Sequence, residues 1–497
     1  MENRNVSVEN VMNSSGVKFG TSGTRGLVED MTDEVCYVYT AAFIQYLEES
    51  GQLGESSVVA VGGDLRSSTD RIMAAVARAI ADRGHKPLNC GKLPSPALTC
   101  FGIVRQIPTA MVTGSHIPDD RNGIKYTKKD GEILKHDEAG MKSQEIELPE
   151  RLFDSRGMFH SEQILPKFTT QAIELYIKRY FDFFPHDSLK GKKIGVYQHS
   201  SVGRDLMVEI LGGLGAEITA LGFSDSFVPV DTEAIRQEDT DAAKEWAEKY
   251  KFDAIVSTDG DADRPLISDE TGKWIRGDVA GILCAIYLQA DTVVTPVSCN
   301  SALEKSGMFD TVIRTKIGSP FVICSMQDAL SRGAGNVVGY EANGGFLMAS
   351  DITCNGRTLK ALPTRDAVII HIAVLLLSKQ KDTTVSGLLK ELPGRFTASN
   401  RLKDFPTEKS REIIESFCSD NVKENCEAIE RVFGQYFGKV ASTDVTDGLR
   451  ITFENGEVVH LRPSGNAPEF RCYNEADTES RVIEINRLCM DIMSGWR

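Results

Sequence analysis

Several things are scarce or missing in this 497-residue chain. Its eleven cysteines are odd in number and scattered, with no Cys-x-x-Cys pair. That argues against a disulfide framework and fits a reducing cytoplasm, with most thiols serving as small buried hydrophobes. No apolar run reaches membrane length. The most apolar one, Ala367 to Leu377, is eleven residues long and contains His371, against the roughly 20 residues that a span needs. It reads as a buried helix. The opening MENRNVSVENVMNSSG lacks the apolar core of a signal peptide, so a soluble, cytoplasmic protein is expected. No basic excess exists either. Lys and Arg number 56 against 71 Asp and Glu, a net charge of −15, which argues against a nucleic-acid binder. Low-complexity tracts are absent, and ordinary Gly and Pro content excludes collagen, coiled coil and long disorder.

What is present is a repeated alternation of short β-rich runs and helical stripes, the mark of α/β domains. Ser57–Val61 reads as a strand, and Ile72, Met73, Val76, Ala79 and Ile80 form a helical stripe after it. Strands follow at Pro108–Thr113, Lys193–Gln198, Phe252–Thr258 and near Asp291 and Asn336. The tail differs: Leu449–Phe453 and Glu457–Leu461 flank Asn455-Gly456, a hairpin turn pair. A strand at Glu469–Tyr473 and a helix capped by Thr478 complete an α+β unit with an antiparallel sheet. At roughly 100–200 residues per domain the length predicts three or four units, with boundaries near 157, 272 and 390. The first three could be copies of one unit, although their residues show little similarity.

Four loops carry chemistry. Gly114-Ser115-His116 follows a strand and precedes Asn122-Gly123-Ile124-Lys125. It offers an exposed hydroxyl with a lysine as charge partner or proton carrier, or a plain surface turn. The chain has no GxSxG elbow to support a hydrolase triad. Asp259, Asp261 and Asp263 alternate in one loop, so three carboxylates can converge on a hard cation. An EF-hand would place Glu270 at its twelfth position but requires Gly where Arg264 stands. Glu341-Ala342-Asn343-Gly344-Gly345 can grip vicinal hydroxyls or simply turn a strand. Arg462, Ser464, Asn466 and Arg471 suit a phosphate cradle, or a hairpin end.

Together, in this order and beginning with Phe19-Gly20-Thr21-Ser22-Gly23-Thr24-Arg25-Gly26, the loops resemble the α-D-phosphohexomutase superfamily, in its phosphomannomutase/phosphoglucomutase branch. The resemblance covers nearly the whole chain. It implies three consecutive α/β domains with mixed sheets and a C-terminal α+β domain, arranged around a central cleft. The units would be 1–157 with the phosphoserine loop, 158–272 with the metal loop, 273–390 with the sugar loop and 391–497 with the phosphate loop. Ser115 would carry the phosphoryl group and, with Asp259, Asp261 and Asp263, bind Mg²⁺. Arg25, Lys125 and His116 would stand beside it. Glu341, Asn343 and Arg264 would meet the sugar, and Arg462, Ser464, Asn466 and Arg471 its non-reacting phosphate. The implied reaction interconverts hexose 6-phosphate and hexose 1-phosphate through a hexose 1,6-bisphosphate. Mannose is the leading sugar; glucose, dual specificity and aminosugar phosphates are alternatives, as is a non-catalytic sugar-phosphate binder. Small-molecule hexose phosphates are the expected partners, with no nucleic acid or membrane, in a monomer or homodimer.

Departures from the family pattern stand at Gly114 (usually Ala), Ile117 (usually Asn), Glu469 (usually a cation) and Gly345 (often His). The last removes one acid/base candidate and shifts proton traffic toward His116 or Lys125. Arg25, Lys125, Arg264, Arg462 and Arg471 are expected to form a positive pocket inside the acidic shell.

Overall fold

The apolar run at Val58–Val61 and the stripe after it fold as their patterns predict. In the computed structural model, which describes residues 4–20, 23–354, 356–465 and 468–497, Val58–Gly63 is a strand and Thr69–Asp82 a helix. All five stripe residues are buried.

This unit is one of three with a shared plan. In the first sheet Val58–Gly63 pairs in parallel with Lys86–Lys92 on one side and Thr109–Val112 on the other. The antiparallel strand Arg121–Lys128 then returns beside Thr109–Val112. In the second sheet Lys193–His199 lies between Glu217–Phe223 and Ala254–Thr258, both parallel, and Pro265–Ile267 returns antiparallel. In the third, Thr292–Pro296 lies between Thr311–Thr315 and Val337–Tyr340, and Phe346–Met348 returns antiparallel.

The plan has a direct consequence for the site. Residues 113–120, 259–264 and 341–345 each connect the third parallel strand of a sheet to its antiparallel return. The serine, aspartate and sugar loops are therefore topologically equivalent. The repetition that residue-level similarity does not show is plain in strand order.

The fourth unit is different. Phe396–Lys403, Glu469–Ala476, Val458–Pro463, Leu449–Phe453 and Val440–Asp444 form one antiparallel sheet in that spatial order. Helices Val422–Phe437 and Glu479–Ser494 bury Phe433, Phe437, Ile485 and Met493 in its core. Thr478 caps the last helix by accepting from the Arg481 N–H. The chain thus has three α/β units with mixed sheets and a C-terminal α+β unit.

The run around His371 is the helix Ala367–Gln380, capped by the Asp366 side chain. It is apolar all round because it is enclosed on every side. His371 Nε2 donates to the Leu266 carbonyl at 3.1 Å, tying this helix to the second unit. Residues beyond 157 still touch the first unit: the Phe159 N–H donates to Asp33 on the helix Asp33–Glu49, and Asn89 on the strand Lys86–Lys92 donates to the Pro166 carbonyl. All eleven cysteines are free thiols. Among the described residues no helix is long and apolar enough to cross a membrane.

Candidate active site

The serine loop is held by a buried pair of residues. Asp64 and Arg66 follow the strand Val58–Gly63, and both side chains are wholly buried in contact with each other. Arg66 Nη2 donates to the carbonyls of Ser115 and Ile117, and Nη1 to those of Pro118 and Arg121, at 2.6–3.1 Å. Its guanidinium also stacks 3.9 Å from the ring centre of Phe227, a residue of the second unit. Asp64 Oδ2 accepts from Thr113 Oγ1, which in turn accepts from the Ser115 N–H. This network holds Ser115 at φ 56°, a left-handed conformation that a serine rarely adopts. Gly114 is explained by the same guanidinium. A Cβ there would lie 2.6 Å from Arg66 Nε and Cζ.

Ser115 Oγ donates to Asp259 Oδ2 at 2.6 Å, and His116 Nδ1 is 3.3 Å from the same serine oxygen. The two loops meet backbone to backbone: a Cβ on Gly260 would fall 2.6 Å from the Ser115 carbonyl oxygen. Asp259, Asp261 and Asp263 are all buried, and one carboxylate oxygen from each lies within 4.8 Å of the others. Asp261 Oδ1 and Asp263 Oδ1 are buried without a hydrogen-bond partner. Three hard oxygen donors crowded together, with two carboxylate oxygens unpaired, fit a divalent cation. Burial and the charges of Asp261 and Asp263 push Asp259 well above the usual carboxylate range. Burial would raise Asp261 as well, but Lys125 and the Ser95 hydroxyl hold it down. The EF-hand alternative fails. Strands flank the loop, and Glu270 turns away to accept from the N–H and hydroxyl of Ser386.

Cations surround the cluster. Lys125 Nζ bonds Asp261 Oδ2 and Asp263 Oδ2, both at 2.6 Å. Arg264 Nε stands 3.9 Å from Asp259 and 3.8 Å from Asp263. Arg25 lies on the strand Thr24–Leu27, opposite Gly123 in register, and faces the same charges. Its guanidinium sits at the exposed position of that strand and remains charged. Burial and the arginines press His116 down to about 2, so its imidazole is neutral.

The sugar loop closes the arrangement. Asn343 Oδ1 accepts from the Gly345 N–H at 2.8 Å and shapes the turn, while Thr232 donates to the Asn343 carbonyl. Glu341 is bound by Arg365, which also reaches Asp263. With Arg365 counted, four cations (Arg25, Lys125, Arg264 and Arg365) face four carboxylates (the three aspartates and Glu341).

Arg462 and Arg471 lie on the fourth sheet at one register, side by side on neighbouring strands. Arg401 is opposite Arg471 on the other side. Three like charges abreast are costly, and two carboxylates relieve them. Asp447 Oδ2 is 2.9 Å from Arg462 Nε, and Glu469 pairs with both Arg471 and Arg401. Glu469 therefore orders the arginine cluster. Ser464 is buried at the end of this strand, its N–H donating to the Glu469 carbonyl. Asn466 lies outside the described residues.

Sequence reasoning passed over Arg66, Asp64, Arg365, Asp447 and Arg401. For the first two a signal existed, an Asp-x-Arg directly after a strand. Arg365 carried none, because only the third sheet brings it to Glu341.

Four family models match the chain: phosphoglucomutase/phosphomannomutase α/β/α domain I over residues 16–147, domain II over 175–272, domain III over 276–396 and the C-terminal domain over 418–492. A phosphomannomutase of Salmonella muenchen is 45% identical, with 96% of this chain and 95% of that protein covered. The chain belongs to the phosphoglucomutase/phosphomannomutase family. A phosphomannomutase of Sinorhizobium fredii is 42% identical, over 93% of this chain and 95% of that protein. The crystal structure of a putative phosphomannomutase from Thermus thermophilus shares the fold, with a TM-score of 0.72 at 20% identity over 96% of this chain and 99% of that one.

Proposed function

We propose that the chain is a phosphomannomutase, interconverting hexose 6-phosphate and hexose 1-phosphate through a phosphorylated Ser115 and a bound hexose 1,6-bisphosphate. The carrying observation is the 2.6 Å contact between Ser115 Oγ and Asp259 inside the three-aspartate cluster. Mannose as the sugar rests on the relatives at 45% and 42% identity.

Asp259, Asp261 and Asp263 would hold Mg²⁺ together with a Ser115 oxygen, and the bound ion would neutralise charge on the transferring phosphoryl group. Arg462, Ser464, Asn466 and Arg471 grip the phosphate that does not react, and Glu341 and Asn343 the sugar hydroxyls. A hydroxyl of the sugar attacks the phosphorus on Ser115. The new P–O bond forms as the P–Oγ bond breaks. The hydroxyl proton ends on Ser115 Oγ, which leaves as the serine hydroxyl with His116 3.3 Å away, and Lys125, Arg25 and Arg264 bear on the moving charge. The bisphosphate then presents its other phosphate to Ser115 and the transfer runs in reverse. Positioning supplies most of the rate in such a reaction.

The four units are assigned to 1–157, 158–272, 273–390 and 391–497. Support comes from the four sheets, whose strands at 18–132, 193–267, 292–366 and 396–476 each fall inside one of these ranges.

The test compares mannose 1-phosphate, glucose 1-phosphate and an N-acetylglucosamine phosphate as substrates, with Mg²⁺ and catalytic bisphosphate. Turnover led by the mannose ester supports the reading, and turnover of none ends it. Mass spectrometry of the Ser115 peptide should show one phosphoryl group, lost in Ser115→Ala.

A further inference from the structure

Gly345 leaves one wall of the site without a side chain, and Arg365 fills the room. A Cβ at Gly345 would lie 2.4 Å from Arg365 Cδ and 2.5 Å from Cγ. Arg365 sits on the strand Leu362–Asp366, which pairs antiparallel with Phe346–Met348, the strand leaving the sugar loop. It is therefore anchored in the sheet that carries Glu341, yet its guanidinium crosses to the neighbouring unit. Nη2 is 2.9 Å from Asp263 Oδ2 and Nη1 3.3 Å from Glu341 Oε2, with the side chain only 5% exposed. Its Nε is buried without a hydrogen-bond partner. Asp263 Oδ2 also takes Lys125 Nζ, so both cations draw on one oxygen, while Oδ1 accepts no hydrogen bond.

We propose that Arg365 is a positioning residue that couples cation binding at the three aspartates to sugar binding at Glu341. This rests on the reading above, which makes these the two subsites. One guanidinium divides a single positive charge between two buried carboxylates. A divalent cation on Asp263 withdraws charge from its carboxylate and slackens its hold on Nη2. Arg365 then bears on Glu341 and fixes that carboxylate in one orientation, with its other oxygen open to sugar hydroxyls. Linkage makes the effect reciprocal: the sugar phosphate must tighten cation binding by the same factor.

If Arg365 only filled space, its loss would lower stability and leave the two affinities independent. The experiment is calorimetric titration of Mg²⁺ into the full-length, dephosphorylated protein, with and without saturating mannose 1-phosphate and with no bisphosphate added. In the wild type the sugar phosphate should tighten Mg²⁺ binding by roughly fivefold or more. In Arg365→Met that ratio should fall to near one while each ligand still binds, and Arg365→Lys should restore part of it. Glu341→Gln cuts the bridge at its other end and should abolish the same ratio, with the double variant adding nothing. An unchanged ratio in Arg365→Met, or in Glu341→Gln if the former does not fold, overturns the coupling. A wild type that turns over mannose 1-phosphate but shows no ratio defeats the coupling alone. A wild type that neither binds Mg²⁺ nor turns over defeats the mutase reading and the coupling with it.

Discussion

Arg66 Nη2 donates to the main-chain carbonyl of Ser115 at 2.9 Å from a fully buried position, so the backbone of the proposed nucleophile is set by an arginine 49 residues earlier. The pair shows how the left-handed turn at Ser115 is maintained. Three carbonyls of the loop and that of Arg121 converge on one planar donor, Asp64 balances its charge, and Phe227 covers its face.

Gly114→Ala tests this clamp without removing any of its bonds. The new methyl meets Arg66 at 2.6 Å, and the arginine is held too firmly to yield. Stability should fall by about 1–3 kcal/mol. A displacement near 1 Å at Ser115 should cost on the order of 100-fold in kcat, with KM little changed. Steady-state kinetics and thermal unfolding read both. Arg66→Met should be harsher, at about 3–5 kcal/mol, because Asp64 is left buried and unpaired.

The aspartate cluster trades stability for function. Asp259→Asn should abolish turnover yet raise the unfolding midpoint in the presence of a chelator, because burial and two like charges disfavour its carboxylate. Added Mg²⁺ should stabilise the wild type and do little for the variant. Differential scanning calorimetry with EDTA and with Mg²⁺ decides it, and an Asn variant less stable than wild type in EDTA would contradict the account.

The fourth-sheet arginines are partly neutralised at rest. Glu469→Gln removes the carboxylate shared by Arg471 and Arg401. KM for the sugar phosphate should fall about two- to fivefold at low ionic strength, the scale of a partly exposed ion pair. The gain should fade by about 1 M salt, where the Debye length is near 3 Å. Initial rates across a salt series measure it.

Acid sensitivity should reside in part at His371. Burial holds its imidazole down to about 4, Nε2 is committed to the Leu266 carbonyl, and Nδ1 is buried without a partner. An unfolded histidine titrates near 6.5. Its contribution is therefore complete above that pH and is lost as the pH falls toward 4, because the unfolded state takes the proton first. The loss could reach roughly 3 kcal/mol at the low end. Unfolding midpoints measured from pH 7.5 to 4.5 should drop less steeply in His371→Gln, whose amide still donates to the carbonyl.

Much of this protein is settled within short stretches of chain. The strand Val58–Gly63, the helix Thr69–Asp82, the buried helix at Ala367–Gln380 and the Thr478 cap follow from local pattern. The serine, aspartate, sugar and phosphate loops are contiguous motifs too, but each alone also reads as a turn, and only their shared order carries the resemblance. What no local pattern contains is which loops meet. Ser115 and Asp259 are 144 residues apart, and they touch because the first two sheets repeat one strand order and set their loops at the same edge. Arg365 shows the limit most clearly. In sequence it is one charged residue before a helix cap. Only the return of its strand beside Phe346–Met348 brings it over Gly345, between a carboxylate of its own unit and one of the next. Local interactions decide the elements and the motifs. Long-range strand pairing and the burial of opposed charges decide the site.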